Sequence, residues 1–289
     1  MPFEPAIERL PRLQRCDGAF TLALARDAGG VTRIEDLFQH DPCRVLFPSP
    51  EPDDIFQAVI LTTSGGLAGG DRIAATLAAG PGARAQATTQ AAEKIYRSRG
   101  ENTEFSVDLA VGAGAWLEWL PQETILFEGA RFRRETRIEL AADARLLAAE
   151  IVVFGRTARG ERVSYGHFLD RWRISRSGRL VWADALTSTD DPQAALAHSA
   201  GFAGAVAVAT VVHAGPDARR QLEAARTALA ASKRAGATRS AVTIVNELLV
   251  ARFLGSNAQT LRSDVAQLWC TLRHAAGNLP PRLPRTWYT

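Results

Sequence analysis

The 289-residue sequence is poor in the residues that usually announce chemistry. It has only three cysteines, Cys16, Cys43 and Cys270, far apart and odd in number, which argues against a disulfide framework and against a CxxC metal site. Five histidines, His40, His167, His198, His213 and His274, form no HxH, HExxH or HxxxH pair, so no metal site is written locally. There is no G-x-S-x-G nucleophile motif. No run approaches the ~18 continuous apolar residues of a membrane span. The net charge is only +3, from 34 basic against 31 acidic residues, and no Lys/Arg run is interleaved with aromatics, so nucleic acid is not an expected partner. The opening "MPFEPAIERLPRLQRC" mixes acids, bases and prolines where a signal peptide would be apolar, and the expectation is a cytoplasmic protein without a membrane segment.

What is abundant is glycine in one place. "LTTSGGLAGGDRIA" carries Gly65, Gly66, Gly69 and Gly70 and closes on Asp71 and Arg72. A P-loop would follow its last glycine with Lys and Ser or Thr, and a dinucleotide loop would open a helix. Here Asp71-Arg72 and then "IAATLAAGPGARAQATTQ" follow, which reads as a hairpin around Gly-Pro-Gly. The loop is therefore expected to be a turn or a place of close backbone packing, and not a phosphate cradle.

From Gly18 to about Thr187 short alternating segments are separated by Gly, Pro and Asp, the pattern of mostly antiparallel β structure. "AFTLALAR" with "AGGVTRIEDLFQ", and "GHFLDRWRIS" with "RLVWADALTS" across Ser177-Gly178, read as hairpins. Alternation in the segment from Arg131 is marked by Phe132, Thr136, Ile138 and Leu140. After the connection "STDDPQAALAHSAG" come a strand, "FAGAVAVATVVHAG", a helix, "PDARRQLEAARTALAASKRAG", and a further strand, "SAVTIVNELLVARFLG". Leu261, Val265, Leu268, Trp269 and Leu272 then form one face of a second helix, capped by Asn257 and Gly277, before an extended tail. No internal repeat is visible.

Carboxylates inside apolar segments are the informative polar groups. Glu118, Glu123, Glu128 and Glu150 must face solvent, pair with an arginine such as Arg131, Arg133 or Arg156, or line a polar interior, because an unpaired buried carboxylate is costly. Scattered oxygen ligands of this kind would hold a divalent ion weakly, which suits passage better than storage. A carboxylate pair on a β scaffold is also what glycoside hydrolysis needs, so a β-rich glycan-binding or glycoside-hydrolysing protein is the alternative. "ATTQAAEKIYRSRG" is the other unusual stretch: as a strand it would place Thr89, Glu93 and Arg97 on one face and Gln90, Lys94 and Tyr96 on the other.

In their order along the chain, "PCRVLFP", "SGGLAGGDR", "TTQAAEKIYRS", "LEWLPQETILFEGAR", "EIVVFGRTARGE" and "LPRTW" resemble the urease accessory protein family UreD, called UreH in some organisms. Ala68 and Glu93 depart from residues common in that family. The resemblance implies a mainly β fold, an elongated layered arrangement of strands with two α-helices near the C-terminal end. It implies one UreD-type domain over 1–289, β-rich over 18–215, mixed over 216–277 and extended over 278–289. It implies a non-enzyme that binds apo-urease and, with UreF and the GTPase UreG, enables nickel insertion, with dimerisation, if any, through that complex. Nickel would be transient cargo with no tightly bound cofactor, and an internal passage would be lined by Asp71, Glu93, Glu123, Glu128 and Glu150. The motif residues Gly65, Gly66, Gly69, Gly70, Arg72, Thr89, Gln90, Lys94, Tyr96, Arg97 and Arg156 would then serve partner binding or the scaffold.

Overall fold

The computed structural model describes residues 15–188, 191–232 and 236–288. The opening stretch as far as residue 14, and parts of the Asp/Pro connection and of the "ASKRAG" helix end, lie outside the described residues. The strands begin with β1 (Asp17–Arg26), β2 (Thr32–His40), β3 (Cys43–Leu46), β4 (Phe56–Thr62), β5 (Arg72–Ala79), β6 (Arg84–Thr89), β7 (Glu93–Ile95), β8 (Thr103–Val111) and β9 (Trp116–Leu120). They continue as β10 (Thr124–Leu126), β11 (Arg131–Leu140), β12 (Arg145–Phe154), β13 (His167–Arg176), β14 (Arg179–Ser188), β15 (Ala207–Ala214), β16 (Thr238–Val245) and β17 (Leu248–Gly255). Among the described residues three α-helices, α1 (Pro192–Ala197), α2 (Leu222–Ser232) and α3 (Ala258–Gly277), interrupt and follow them.

The strands form two layers. A seven-stranded sheet runs β14-β13-β11-β8-β5-β1-β2; the second runs β16-β17-β15-β12-β9-β6-β4-β3, with β10 beside β12 and β7 beside β10. The expected hairpins β1–β2 and β13–β14 are present, the latter turning through Ser177 and Gly178 at φ 51° and 75°, the twist that suits a two-residue hairpin. The antiparallel reading fails between them. "DRIAATLAAGPGARAQATTQ" is not a hairpin: β5 belongs to the first sheet and β6 to the second, and the same switch recurs from β8 to β9 and from β11 to β12. Each strand therefore pairs in parallel with the next rung. Alternating hydrophobicity looks the same in a hairpin and in such an arc, because it reports which face is buried and not which strand is the neighbour.

The rungs also repeat without a sequence repeat. Arg72 pairs with Glu104 and Glu104 with Arg133 in one sheet, while Arg84 pairs with Trp116 and Trp116 with Arg145 in the other. The connecting turns stack on one another, Gly80 N donating to Leu24 O, Gly112 N to Ala79 O and Ala141 N to Val111 O. A Cβ at Gly112 would lie 2.8 Å from the backbone nitrogen of Pro81, so this glycine is where rung meets rung.

The two sheets differ in burial for a reason visible in their strands. β5 and β11 alternate buried with exposed residues, one face on the core and one in water. β9, β12 and β15 are buried almost throughout, because one face packs on the first sheet and the other is covered by α2 and α3. Four smaller expectations also change. "SAVTIVNELLVARFLG" is two strands, β16 and β17, joined by Asn246 and Glu247 at φ 43° and 69°. "TTQAAEKIYRS" is broken after Thr89 and resumes only as β7. Asn257 caps α3 by accepting from Thr260 N at 2.9 Å, but the left-handed residue ending it is Asn278, while Gly277 lies against the Trp116 ring. The tail holds a 3-10 turn over Arg285–Tyr288 and is not wholly extended.

Candidate functional site

Between the sheets lies a cavity of about 400 Å³, far above the ~10–15 Å³ that one water needs by the same measure. Its lip is exposed backbone and side chain at Gly65, Gln90 and Lys94; its inner end is made by Trp119, Arg134 and Glu150, all buried. Cys43, Thr62, Gly66, Thr89 and Glu93 line the space between.

Two carboxylates stand in this cavity under different constraints. Glu93, at the start of β7, accepts from Thr62 Oγ1 at 2.9 Å, and its burial raises the carboxyl above its usual range. Glu150, in the middle of β12, accepts from Trp119 Nε1 at 2.9 Å with Oε1. Its Oε2 is in ion-pair contact with Arg134 but has no aligned hydrogen-bond donor. Arg134 is already committed elsewhere: Nε and Nη2 reach Asp170 at 2.9 and 2.7 Å, and Nη1 reaches Thr124 Oγ1 at 3.2 Å. One guanidinium thus serves two buried carboxylates, and burial, against the attraction of Arg134, pushes the Glu150 carboxyl up to about 7. The thiol of Cys43 is likewise driven up to about 12 by burial and stays protonated at neutral pH.

The remaining sequence candidates lie elsewhere. Asp71 does not point at the cavity: its two oxygens accept from Cys16 N at 2.9 Å and Ala68 N at 2.8 Å, closing the glycine loop onto β1. Arg72 is exposed, 3.5 Å from Glu104. Glu123 is held by Arg262 of α3 at 2.7 and 2.6 Å, with that guanidinium lying 4.1 Å over the Trp287 ring. Glu128 accepts from Ser164 N at 3.0 Å on the surface. Arg97 lies over the Tyr165 ring at 5.5 Å; Arg156 lies over Phe127 at 4.5 Å and grips Glu161 at 2.9 and 2.8 Å. That grip draws the Glu161 carboxyl down to about 2, mainly through the Arg156 hydrogen bonds. Arg156→Ala is expected to raise the Glu161 carboxyl into the ordinary range, which a carboxyl-resolved NMR titration would read directly.

The glycine loop packs as tightly as its composition suggests. Tyr96 Oη donates to Gly65 O at 3.0 Å, and a Cβ on Gly66 would lie 2.5 Å from the Tyr96 ring. A Cβ on Gly69 would meet Ser98 Oγ and the Glu101 carbonyl, the latter at 2.6 Å, whereas one on Gly65 would meet nothing within 4 Å. Gly70 lies against the Arg15 side chain. Gly69→Val should cost about 1–3 kcal/mol of stability through overpacking. Gly65→Ala, strained only by its positive φ, should cost about 1 kcal/mol. Urea denaturation of the two variants tests the difference, and equal losses would mean the close packing at Gly69 is irrelevant.

The partners of the buried acids are arginines that the sequence reading did not name. Glu118 pairs with Arg273, Glu150 with Arg134 and Glu123 with Arg262, in place of Arg131, Arg133 or Arg156. Arg134 occupies the inward position skipped between Phe132 and Thr136, so strict alternation could have found it. Arg273 follows Leu272 on the buried face of α3, where a charge demands a buried counter-ion. Among the described residues no group of three or more His, Cys, Asp or Glu is gathered closely enough to hold a metal ion. No described helix is long and apolar enough to cross a membrane.

By fold and site the chain is a stacked-rung β scaffold with an acid-lined interior and a helical back. Residues 16–288 match the family of the UreD urease accessory protein. The sequence is 46% identical over 259 residues to the urease accessory protein UreD of Magnetococcus marinus, covering 89% of each chain. It is 44% identical over 280 residues to that of Methylobacterium sp. (strain 4-46), covering 96% of this chain and 97% of the relative. With the Xanthobacter autotrophicus UreD it shares 41% identity over 293 residues, covering 100% of this chain and 96% of the relative. The chain belongs to the UreD urease accessory protein family, and its role lies in urease maturation.

Proposed function

We propose that the chain binds apo-urease together with UreF and the GTPase UreG and passes nickel, as cargo, through the cavity between its sheets toward the urease active site. The observation that carries this reading is the pair Glu93 and Glu150 in one cavity, the first near the exposed lip and the second at the buried end. Both are carboxyls that burial biases toward the protonated form, so each can exchange a proton for a divalent cation and release it again. Oxygen donors spread along a cavity, with no clustered ligand set among the described residues, suit transient passage better than retention. GTP hydrolysis would occur on UreG, which leaves this chain no catalytic step of its own. The glycan reading finds less support: Trp116 and Trp119, the tryptophans flanking Glu118, are buried and offer no stacking surface for a sugar.

The test is coexpression of the cognate urease subunits and accessory proteins with and without this chain, reading nickel per active site and urea hydrolysis. Loss of both in its absence, with apo-urease still folded, is the expected result. Full nickel and full activity without it would overturn the reading.

A further inference from the structure

A groove separate from the internal cavity opens at the surface. It measures about 920 Å³ and lies at the outer end of the rungs, between the β1–β2 turn and the segment that joins β3 to β4. Its walls are apolar and open: Val31 and Ile34 are 49% and 40% exposed, and Phe47, Pro48 and Phe56 face them. Its charge is one-sided. Arg26, Arg33 and Arg84 line it, and only Arg33 has a carboxylate of its own, Asp27 at 3.0 Å. Arg26 donates to the Gly30 carbonyl at 3.1 Å and Arg84 to the Gly277 carbonyl at 2.7 Å; among the described residues neither forms an ion pair. The single lining acid, Asp54, is taken up by Arg273 and Arg282. Burial loosens the proton on Arg84; the pull of Glu118 opposes it, and the guanidiniums of Arg273, Arg145 and Arg26 add smaller pushes in the same direction as burial.

Among the described residues β2 is the end strand of its sheet, its backbone ladder running to β1 alone while Thr32 Oγ1 accepts from Arg84 N at 2.8 Å and Gln39 Oε1 from Val45 N at 2.6 Å, and its first residues, Thr32 to Ile34, line the groove. The free edge offers a backbone ladder to an added strand. A second copy of the chain is a poor occupant, because antiparallel self-pairing along β2 would set Glu35 and Asp36 against their own copies, whereas a short segment that ends opposite Ile34 meets Thr32 and Arg33 and stops before both acids. We infer that this groove docks an extended segment of a partner protein that adds to the edge of β2, seats apolar side chains on Val31, Ile34 and Phe47, and brings acidic side chains to Arg26 and Arg84.

This inference does not depend on nickel passage and is tested without it. Fluorescence anisotropy would compare labelled short peptides of alternating Glu and Leu, alternating Lys and Leu, and a short oligothymidine. The Glu/Leu peptide should bind saturably and lose affinity as salt rises. Binding should weaken by about tenfold in Arg26→Glu and again in Val31→Asp, two changes at the exposed turn that remove no core contact. Thermal melting would establish that both variants are folded. Absence of Glu/Leu binding, equal or tighter binding of the Lys/Leu peptide or of the oligothymidine, or indifference to both substitutions would overturn it.

Discussion

Arg273→Ala should destabilise the protein by about 3–5 kcal/mol, the cost of leaving a buried charge without its partner. Arg273 is 1% exposed on α3 and gathers three otherwise separate parts of the chain. Its Nε donates to both oxygens of Glu118 on β9 at 2.9 and 3.0 Å; Nη2 meets Asp54 in the loop before β4; Nη1 meets the Pro280 carbonyl beyond the helix. Glu118 is wholly buried, and without Arg273 it keeps, among the described residues, the donors Trp116 Nε1 at 2.9 Å and Gln86 Nε2. Its carboxyl is already raised by burial, so the variant should relieve itself in part by taking up a proton. Denaturant midpoints would measure the loss. The double variant Glu118→Gln/Arg273→Met should recover part of it, since glutamine leaves no unpaired charge on β9 and its amide oxygen can still accept from Trp116 Nε1. A loss below about 1 kcal/mol in the single variant would mean that water reaches Glu118.

How far the sequence disclosed this arrangement depends on the range of each signal. Local signals were sufficient for the β1–β2 hairpin, for the capped helix α3 and for the tightness around Gly66 and Gly69, since each is decided by residues close together in the chain. The rung topology was not legible, because Gly80 and Gly112 look like hairpin glycines while in fact they let one turn rest on the next. The buried acids were legible as an anomaly but their partners were not: Glu118 and Arg273 are 155 positions apart, and only the fold joins them. Of the five carboxylates that the family resemblance offered as passage lining, Glu93 and Glu150 line the cavity between the sheets. The same reasoning also selected Asp71, which backbone amides claim, and Glu123, which Arg262 claims. A carboxylate that answers a local backbone need cannot be told from one that faces a cavity by its neighbours in sequence alone.

Glu150→Gln should separate stability from nickel delivery by moving them in opposite directions. The folded-state carboxyl titrates at about 7, above the ordinary glutamate value of 4.5 expected in the unfolded chain. Between those two values the folded protein holds a proton that the unfolded chain has lost. Stability therefore falls as pH rises from about 4.5 to about 7 and levels off above it. Glutamine keeps the shape, can still meet Trp119, and removes the charge, while Asp170 continues to satisfy Arg134. The variant should lose this pH slope and be at least as stable as the parent at pH about 8. Yet a neutral amide is a poor ligand for a divalent ion, so under the proposed passage nickel per urease active site in the coexpression assay should drop by about tenfold. A merely structural Glu150 would give unchanged nickel loading in the more stable variant, and that outcome would remove Glu150 from the proposed passage. Reduced loading with raised stability, by contrast, cannot come from misfolding, and would identify the buried end of the cavity as a place where the cargo meets the chain.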